Sequence, residues 1–461
     1  MDASYQPITP ALEESIRQAV TPARVISEKD RLEEFSNDSS EFSAIPEVVV
    51  EATSASQIQS LLRLANRHRF PVTPRGTGSG LVGGAVPVFG GVVLSLARMN
   101  RIIAIDRNNL IAVVEPGVIT LDLKESAQRE GLFYPPDPAS LDTSSIGGNA
   151  ATNAGGPSCV KYGTTRDYVL GIEAVLPNGE IVRSGVQTRK GVVGYDLAHL
   201  LVGSEGTLGI ITKLILKLLP HPPALTTLVA FFPDIVAAME AVSKTLVKGH
   251  LPCALEFLDG RCLSRVSDLV PFEDMTGVKA LLLIELDGLQ DIIKREIEDI
   301  GVICMESGAR EVLFAPDSIK RMKLWEMRRE VSLRIEAAYP LWIPEDVVVP
   351  ISRIADFVAA LPAFEDEYGM TIYTFGHAGD GNIHVNITAE TTDLTDRIEK
   401  GVERLLKLVV AMDGTISGEH GIGWAKKRYL PLELSHESIR LQRGIKDLFD
   451  PLCILNPGKI F

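Results

Sequence analysis

Four segments between residues 74 and 212 are rich in glycine and small polar residues, and they restrict most strongly what this chain can fold into. Such residues build poor apolar cores, but they let backbone N–H groups come close to a bound phosphate. Each segment alone could be a plain surface loop, whereas four in one region predict a groove that holds a large nucleotide in an extended pose. The segments are PRGTGSGLVGGAVP (74–87), PPDPASLDTSSIGGNAATNAGG (135–156), KYGTTRDYVLGIEAVLPNGEI (161–181) and LLVGSEGTLGIIT (200–212).

The first segment differs from the two common phosphate-binding loops. No Gly-Lys-Ser/Thr follows it, and its glycines do not fall in a short strand–turn–helix of the dinucleotide-binding type. The sequence therefore indicates a nucleotide-binding fold of another kind.

Length, charge and cysteine content limit the class of protein. A chain of 461 residues exceeds one core and predicts two or three domains. A net charge of −14 argues against a nucleic-acid-binding protein. The first twenty residues do not resemble a secretory signal, and no apolar run is long enough for a membrane span. Five scattered cysteines without a Cys-x-x-Cys motif favour a reducing compartment, so a cytoplasmic protein is expected.

Three regions differ in pattern. Residues 1 to about 45 read as helical and charged, and strands and helices with many glycines then alternate up to about residue 220. The segment HPPALTT (221–227) predicts a linker, because two adjacent prolines interrupt regular structure. After it, strands and helices alternate with few glycines, which indicates a separate α+β or α/β domain.

Two histidine motifs lie in the last part of the chain. FGHAGDGNIHVNI (375–387) predicts a hairpin in which His384 and Asn386 share a face, since strand side chains alternate. SGEHGIG (417–423) adds Glu419 and another histidine, His420. Two histidines and a carboxylate suit a divalent metal such as Zn²⁺, Mn²⁺ or Fe²⁺. Either hairpin histidine alone would more often be structural.

The glycine-rich segments, together with FGHAGDGNIHVN, SGEHGIG and the closing LNPGKIF, resemble the flavin-dependent D-2-hydroxyacid dehydrogenases. That family includes D-lactate dehydrogenase, the catalytic subunit of glycolate oxidase and D-2-hydroxyglutarate dehydrogenase. The resemblance implies an α+β fold with a two-subdomain FAD domain of the p-cresol-methylhydroxylase and vanillyl-alcohol-oxidase type and an α+β cap domain. The implied boundaries are 1–220 for the FAD domain (contacting FAD from about 42), 221–410 for the cap, and 411–461 for a C-terminal segment that returns to the FAD domain.

The resemblance also implies which residues bind FAD. The loop from Arg75 to Leu81 would hold the pyrophosphate, and later segments would line the rest of the cofactor. Relatives with covalent flavin often carry a histidine where this chain has Ser79, so FAD is expected to be noncovalent. The implied cofactor residues are Arg75, Gly76, Thr77, Gly78, Ser79, Gly80, Leu81, Pro136, Asp137, Ser144, Ser145, Gly148, Asn149, Thr152, Asn153, Gly155, Gly163, Glu205, Gly209, Ile210 and Asn456.

For the reaction, the resemblance implies that His377, His384 and Glu419 bind the metal and that His420 is the general base. Arg328 in LWEMRRE would hold the substrate carboxylate, with Asn386 and Ser332 as further polar contacts. The alternatives at this helix are the neighbouring Arg329 or a surface salt bridge.

The substrate is expected to be a small D-2-hydroxy acid, with D-lactate preferred and glycolate next. Hydroxyglutarate enzymes of the family carry a lysine where this chain has Pro344, and the acidic Glu345 and Asp346 follow. A second, distal carboxylate would therefore lack a partner. D-2-hydroxyglutarate stays as an alternative substrate.

The electron acceptor is left open by the sequence. The candidates are an electron-transfer flavoprotein, an iron–sulfur subunit, a quinone or oxygen, and docking at the inner face of a membrane is an alternative to a fully cytoplasmic location. Two other classes also stay open: a metal-dependent hydrolase, which would be colourless, and a non-catalytic flavin-binding subunit, whose flavin no hydroxy acid would bleach.

Overall fold

The structure is a computed structural model, and it describes residues 5–270, 275–315 and 317–461. The strands of this described part are β1 (Arg24–Ile26), β2 (Val48–Glu51), β3 (Val72–Arg75), β4 (Val92–Ser95), β5 (Ile102–Asp106), β6 (Ile111–Val114), β7 (Leu132–Phe133), β8 (Val169–Val175), β9 (Ile181–Gly185), β10 (Ile210–Lys217), β11 (Leu219–Pro220), β12 (Ala224–Phe232), β13 (Ala254–Asp259), β14 (Ala280–Gly288), β15 (Glu311–Phe314), β16 (Leu341–Val348), β17 (Thr371–His377) and β18 (Asn382–Ala389).

Helices occur throughout the same ranges. They are α1 (Pro10–Ala19), α2 (Lys29–Leu32), α3 (Ala55–His68), α4 (Thr120–Arg129), α5 (Ile146–Thr152), α6 (Cys159–Tyr162), α7 (Leu197–Leu201), α8 (Ile235–Val247), α9 (Gly260–Arg265), α10 (Gln290–Glu306), α11 (Ser318–Ala338), α12 (Ile354–Tyr368), α13 (Thr395–Ala411), α14 (Leu430–Glu433) and α15 (His436–Phe449). No helix in the described ranges is long and apolar enough to cross a membrane.

The chain divides into two compact units. The first, which we call the cofactor unit, comprises the described residues up to Gly155, Thr164–His221 and Glu419–Phe461. The second, the substrate unit, comprises Gly156–Gly163 and Pro222–Gly418.

The cofactor unit contains two main sheets. In the first sheet, of order β1-β2-β4-β3, the pairs β2–β4 and β3–β4 are parallel. The second sheet is antiparallel with order β5-β6-β10-β8-β9. Helices α1 and α3 bury leucine and isoleucine side chains against the first sheet, and Ile454 and Leu455 near the C-terminus complete that core.

Helix α3 follows its sequence signals with one change at its start. Ser54 caps the helix by accepting a hydrogen bond from the backbone N–H of Gln57. In a capping box the Gln57 side chain would accept from Ser54, but it accepts from the N–H of Thr53 instead, at 2.8 Å. The helix ends at His68, and the C-cap residue Arg69 has a left-handed backbone with φ 56°.

The substrate unit is built on one antiparallel sheet with the order β15-β12-β14-β13-β17-β18-β16. Helices α9 and α11 cover one face of it through Cys262, Leu263, Leu324, Met327 and Val331. Strand β16 lies at the edge of this sheet, where a proline is tolerated because one side of the strand makes no ladder hydrogen bonds. Pro344 can therefore sit within β16 without interrupting the sheet.

The predicted elements after the linker are present, including the β17–β18 hairpin around the AGDGN turn. The structure differs in three places. Residues 5–45, the described part of the first region, hold only one long helix, α1, plus short elements. Strand β12 begins at Ala224, inside the predicted linker. The second junction lies at Gly418 rather than 410, because Thr415 pairs with Val348 of β16 and keeps this part of the chain in the substrate unit.

Candidate active site

A cavity of about 450 Å³ lies in the cofactor unit, at the carboxyl end of β3 and against the N-terminal part of α5. This volume is within the range of small-molecule and cofactor sites. Glu419 and His420 line it together with the glycine-rich segments. The predicted cofactor residues that line the cavity are Arg75, Gly76, Thr77, Gly78, Ser79, Gly80, Leu81, Ser145, Gly148, Asn149, Thr152, Gly155, Glu205, Gly209 and Ile210.

Glycines serve two different purposes around this cavity. At Gly84 an added Cβ would meet no atom within 4 Å, so the backbone there borders open space. At Gly76 a Cβ would lie 2.3 Å from the Ser145 hydroxyl, so only glycine lets these two loops come together. A glycine-lined loop that borders open space lets backbone N–H groups approach a phosphate, and the cavity therefore fits a phosphate-bearing cofactor such as FAD.

Arg75 is fixed within the first loop. Its Nη1 donates to the carbonyl of Asn37 at 2.5 Å, and its side chain covers Gly78, whose φ of 81° favours glycine. Burial lowers the pKa of the Arg75 guanidinium, and nearby Asp38 opposes this shift. A partly desolvated arginine is well suited to bind a phosphate, because its charge is weakly screened.

Several predicted cofactor residues do not line the cavity, and the structure gives them other contacts. Ser144 bonds the hydroxyl of Thr120 at 2.9 Å. Asn153 ends α5 in the left-handed conformation and accepts from the N–H of Arg166. Asn456 donates to the carbonyls of Gly84 and Glu205 at 3.0 and 2.8 Å. The remaining residues outside the lining are Pro136, Asp137 and Gly163.

Gly163 belongs to the substrate unit, as the last residue of the short segment 156–163. The two residues before it, Lys161 and Tyr162, both bond the carboxylate of Asp287 at the end of β14. This segment is therefore attached to the substrate unit, and Gly163 does not line the cavity.

Glu205 lines the cavity, yet its carboxylate holds the backbone of the His420 segment. Its two oxygens accept from the N–H groups of Ile422 and Gly423, each at 2.7 Å. Burial raises the pKa of Glu205 to about 7, although these two donors oppose the rise. Gly421 packs directly on this carboxylate, where a Cβ would lie 3.0 Å from it. Glu205 thus positions the turn that follows His420.

In the substrate unit, His377, His384 and Asn386 lie on the face of the sheet that α11 covers, and Arg328 and Ser332 belong to α11 itself. Cross-strand partners share a face, and β17–β18 pairing sets Phe375 opposite His384. The rings of His377 and His384 are 5.2 Å apart between centroids and nearly perpendicular, at 85°. Two imidazoles at this separation can both supply a ring nitrogen as ligand to one divalent metal ion.

Glu256 of β13 connects this face to α11. It lies opposite His377 in the β13–β17 ladder and is fully buried. Oε1 accepts from His377 Nδ1 at 2.5 Å, and Oε2 accepts from Arg328 Nε at 2.8 Å. Burial alone would raise the pKa of Glu256, but His377 and Arg328 outweigh it and lower the pKa to about 2. The carboxylate is therefore ionised.

Arg328 is the buried arginine of the pair in α11, whereas Arg329 is exposed. The guanidinium of Arg328 also stacks on Phe375, 4.4 Å from the ring centroid. The alternative of a surface salt bridge does not apply, since the partner of Arg328 is the buried Glu256. Ser332 is half-buried one turn further along the helix.

Asn386 is buried on β18, and its amide is oriented by a neighbour. Trp342 Nε1 donates to Asn386 Oδ1 at 2.8 Å, so the amide N–H₂ is the group that can donate to a substrate. Pro344 is the residue opposite Asn386 in the β16–β18 ladder. The position at which hydroxyglutarate enzymes carry lysine is therefore next to a predicted substrate contact.

Asp346 fixes the start of the SGEHGIG motif. It lies opposite His384 in the β16–β18 ladder and is fully buried. Its carboxylate accepts from the N–H of Gly418 at 2.8 Å and from the hydroxyl of Ser417 at 3.3 Å. Gly418 directly precedes Glu419, so Asp346 holds the beginning of this motif on β16, the strand that pairs with the His384 strand β18.

Sequence reasoning missed Glu256 entirely and gave Asp346 only a minor role in substrate preference. Glu256 stands in an apolar strand, ALEFLD, and a charged residue at an inward position of such a strand is the available signal. What that residue pairs with depends on the β13–β17 register, which joins residues more than one hundred positions apart.

The sequence matches two protein-family models and many known proteins. The family model described as FAD linked oxidases, C-terminal domain, matches residues 221–460, and the model described as FAD binding domain matches residues 46–185. The glycolate oxidase subunit GlcD of Bacillus subtilis (strain 168) is 43% identical over 423 residues, which are 91% of this chain and 90% of that protein. The D-lactate dehydrogenase of Anaerostipes hadrus is 38% identical over 472 residues, covering 99% of this chain and 98% of that one.

Among solved structures, p-cresol methylhydroxylase with substrate bound superposes with a TM-score of 0.79 at 18% identity, covering 97% of this chain and 96% of that one. This likeness confirms the predicted fold class. With a cavity that fits FAD and relatives that match over most of the chain, the protein belongs to the FAD-linked oxidases and is an FAD-dependent oxidoreductase of the D-lactate dehydrogenase and glycolate oxidase type.

Proposed function

We propose that this protein oxidises a small D-2-hydroxy acid, with D-lactate as the preferred substrate, to the corresponding 2-oxo acid. The observation that carries the proposal is the sheet face that holds His377, His384 and Asn386, together with Arg328 of α11, which stacks on Phe375 of that face. It offers metal-binding imidazoles beside donors suited to a carboxylate, which are the two requirements of a 2-hydroxy acid.

His377, His384 and Glu419 are the proposed metal ligands. A divalent cation bound there would lower the pKa of the substrate hydroxyl. The hydrogen bond from the Gly418 N–H to Asp346 supports Glu419 as the third ligand. It holds Gly418, the residue before Glu419, on β16, which pairs with the His384 strand.

His420 is the proposed general base, which accepts the hydroxyl proton while C2 gives up its hydride. FAD, when bound, is the hydride acceptor. His420 lines the FAD-fitting cavity, and Glu205 fixes the turn after it, so its imidazole is placed on a constrained backbone. A neutral imidazole suits this task near physiological pH.

Arg328 and Asn386 are proposed to bind the substrate carboxylate, with Ser332 as a further contact. The Arg328–Glu256 contact uses Nε and Nη2, so the guanidinium has a second pair of N–H groups, on Nη1 and Nη2, for a carboxylate. Glycolate is the second candidate substrate and D-2-hydroxyglutarate the third. For the acceptor, an electron-transfer flavoprotein, an iron–sulfur subunit, a quinone and oxygen stay as proposals.

The first test uses Pro344. We expect D-lactate and glycolate to reduce the flavin with a kcat/KM at least about 10-fold above that of D-2-hydroxyglutarate, because a buried carboxylate without a partner costs several kcal/mol. Pro344→Lys should raise kcat/KM for D-2-hydroxyglutarate relative to D-lactate. Pro350→Lys, two residues past the end of β16, is the matched control and should leave this ratio unchanged. A preference of the wild-type protein for D-2-hydroxyglutarate would contradict the proposed substrate class.

The second test concerns the flavin linkage. We expect acid precipitation to release all of the FAD into the supernatant, because the Ser79 hydroxyl is a weak nucleophile compared with a histidine ring nitrogen. The measurement is flavin absorbance in supernatant and pellet. Flavin that stays with the denatured pellet would refute the proposed noncovalent attachment.

A further inference from the structure

Glu256 holds two functional groups at once. The carboxylate is fully buried on β13, the central strand of the substrate-unit sheet. One of its oxygens accepts from His377 and the other accepts from Arg328. Both oxygens act only as acceptors and both partners are donors, so the ionised carboxylate satisfies this arrangement. A buried carboxylate is costly unless such partners compensate it, which makes the arrangement specific.

The contact with His377 selects one tautomer of that ring. If Nδ1 carries the proton that Glu256 accepts, the lone pair of the imidazole lies on Nε2, and Nε2 is then the atom that can bind a metal. Histidine ligands commonly donate their other ring N–H to a carboxylate, and this partner sets the ring orientation and its basicity.

The contact with Arg328 fixes the guanidinium plane. Nε and Nη2 both lie 2.8 Å from Oε2, and Phe375 supports the plane from one side at 4.4 Å. A guanidinium held on one edge and one face presents its other N–H pair in a defined direction. The same carboxylate therefore orients a metal-binding ring and a carboxylate-binding arginine.

We propose that Glu256 is a positioning residue that aligns the metal ligand His377 with the substrate-binding Arg328 as one rigid group. This inference rests on the proposed function. It predicts that a change at Glu256 alters metal affinity and substrate KM together, since the two groups share one support.

The test compares Glu256→Gln with Glu285→Gln. A glutamine at 256 can accept from one partner, but its NH₂ group then faces the other donor, so the pair can no longer be held jointly. We expect Zn²⁺ affinity to fall about 10- to 100-fold, the usual effect of losing such a partner, and KM for D-lactate to rise in the same variant, with FAD content unchanged.

Glu285 is the matched control on the neighbouring strand β14. It is also buried and accepts from Thr227 and Trp325 at 2.7 and 3.0 Å, but it is not part of the proposed site. Glu285→Gln should keep the wild-type Zn²⁺ affinity. In protein loaded with Co²⁺, the metal bands beyond the flavin absorption should change in Glu256→Gln and not in Glu285→Gln. Thermal stability and FAD content report any general damage separately.

Two further measurements apply if Glu256→Gln does not fold. Glu256→Asp keeps the charge but is too short to reach both partners, so the same two losses are expected. In the wild-type protein with Zn²⁺, ¹⁵N-histidine spectra should show His377 protonated on Nδ1; protonation on Nε2 would overturn the proposal. A folded Glu256 variant that binds Zn²⁺ as tightly as the wild-type protein does would overturn the proposal as well. A wild-type protein that binds no divalent metal would instead refute the proposed function itself.

Discussion

Replacing His420 with alanine is expected to slow flavin reduction by D-lactate about 10²-fold or more, the usual scale for removal of a general base. The variant should keep its FAD and its metal, because the proposed ligands His377, His384 and Glu419 are unchanged. The measurement is the anaerobic bleaching rate of the flavin in a stopped-flow instrument. Added metal should not restore the rate, since the missing group accepts a proton and binds no metal.

His436→Ala is the control for the loss of an imidazole from the same part of the chain. His436 is the first residue of α15 and is exposed. In the His436→Ala variant, D-lactate should reduce the flavin at the wild-type rate. A His420→Ala rate within a few-fold of the wild-type rate would contradict the role of His420 as base. Loss of metal from His420→Ala would indicate that His420, and not Glu419, is the ligand.

Removal of the metal is expected to abolish turnover while FAD stays bound, because the flavin and the metal depend on different residues. Dialysis against a chelator should leave a yellow protein that D-lactate does not bleach, and Zn²⁺, Mn²⁺ or Fe²⁺ should restore the reaction. Metal analysis before and after dialysis, together with the flavin spectrum, checks both parts of this expectation.

The Glu419→Gln variant separates ligand loss from other damage. It should contain less metal than the wild-type protein and should be partly rescued by excess metal, in contrast to His420→Ala. Glu437→Gln is the control, since Glu437 is exposed on α15 and pairs with Arg440. Full activity in protein verified to be free of metal would contradict the roles given to His377, His384 and Glu419.

Local signals predicted a large part of the fold. The AGDGN turn between two apolar runs predicted the β17–β18 hairpin, and the shared face of His384 and Asn386 followed from strand alternation. Glycine content alone located the loops around the cavity, because a backbone that closely approaches a ligand or a neighbouring loop excludes side chains.

The other contacts of the site could not be predicted, because they depend on pairing between strands and loops that are far apart in the sequence. Glu256 meets His377 only because β13 pairs with β17, and no local pattern in ALEFLD indicates that register. For the same reason, the sequence could not show that the amide of Asn456 joins the Gly84 and Glu205 loops from the far end of the chain. Glu205 shows both the success of local signals and their limit. Its glycine-rich surroundings predicted its position at the cavity, but they could not show that it holds the turn at Ile422.

The most direct measurement of the proposed function is the visible spectrum of the metal-loaded wild-type protein, recorded without oxygen before and after addition of D-lactate. We expect the oxidised flavin band to disappear within the time of a single turnover and one equivalent of pyruvate to form per FAD. L-lactate, the mirror-image substrate, should leave the band in place. A flavin band that persists with D-lactate, glycolate and D-2-hydroxyglutarate alike would contradict the oxidation of 2-hydroxy acids by this protein.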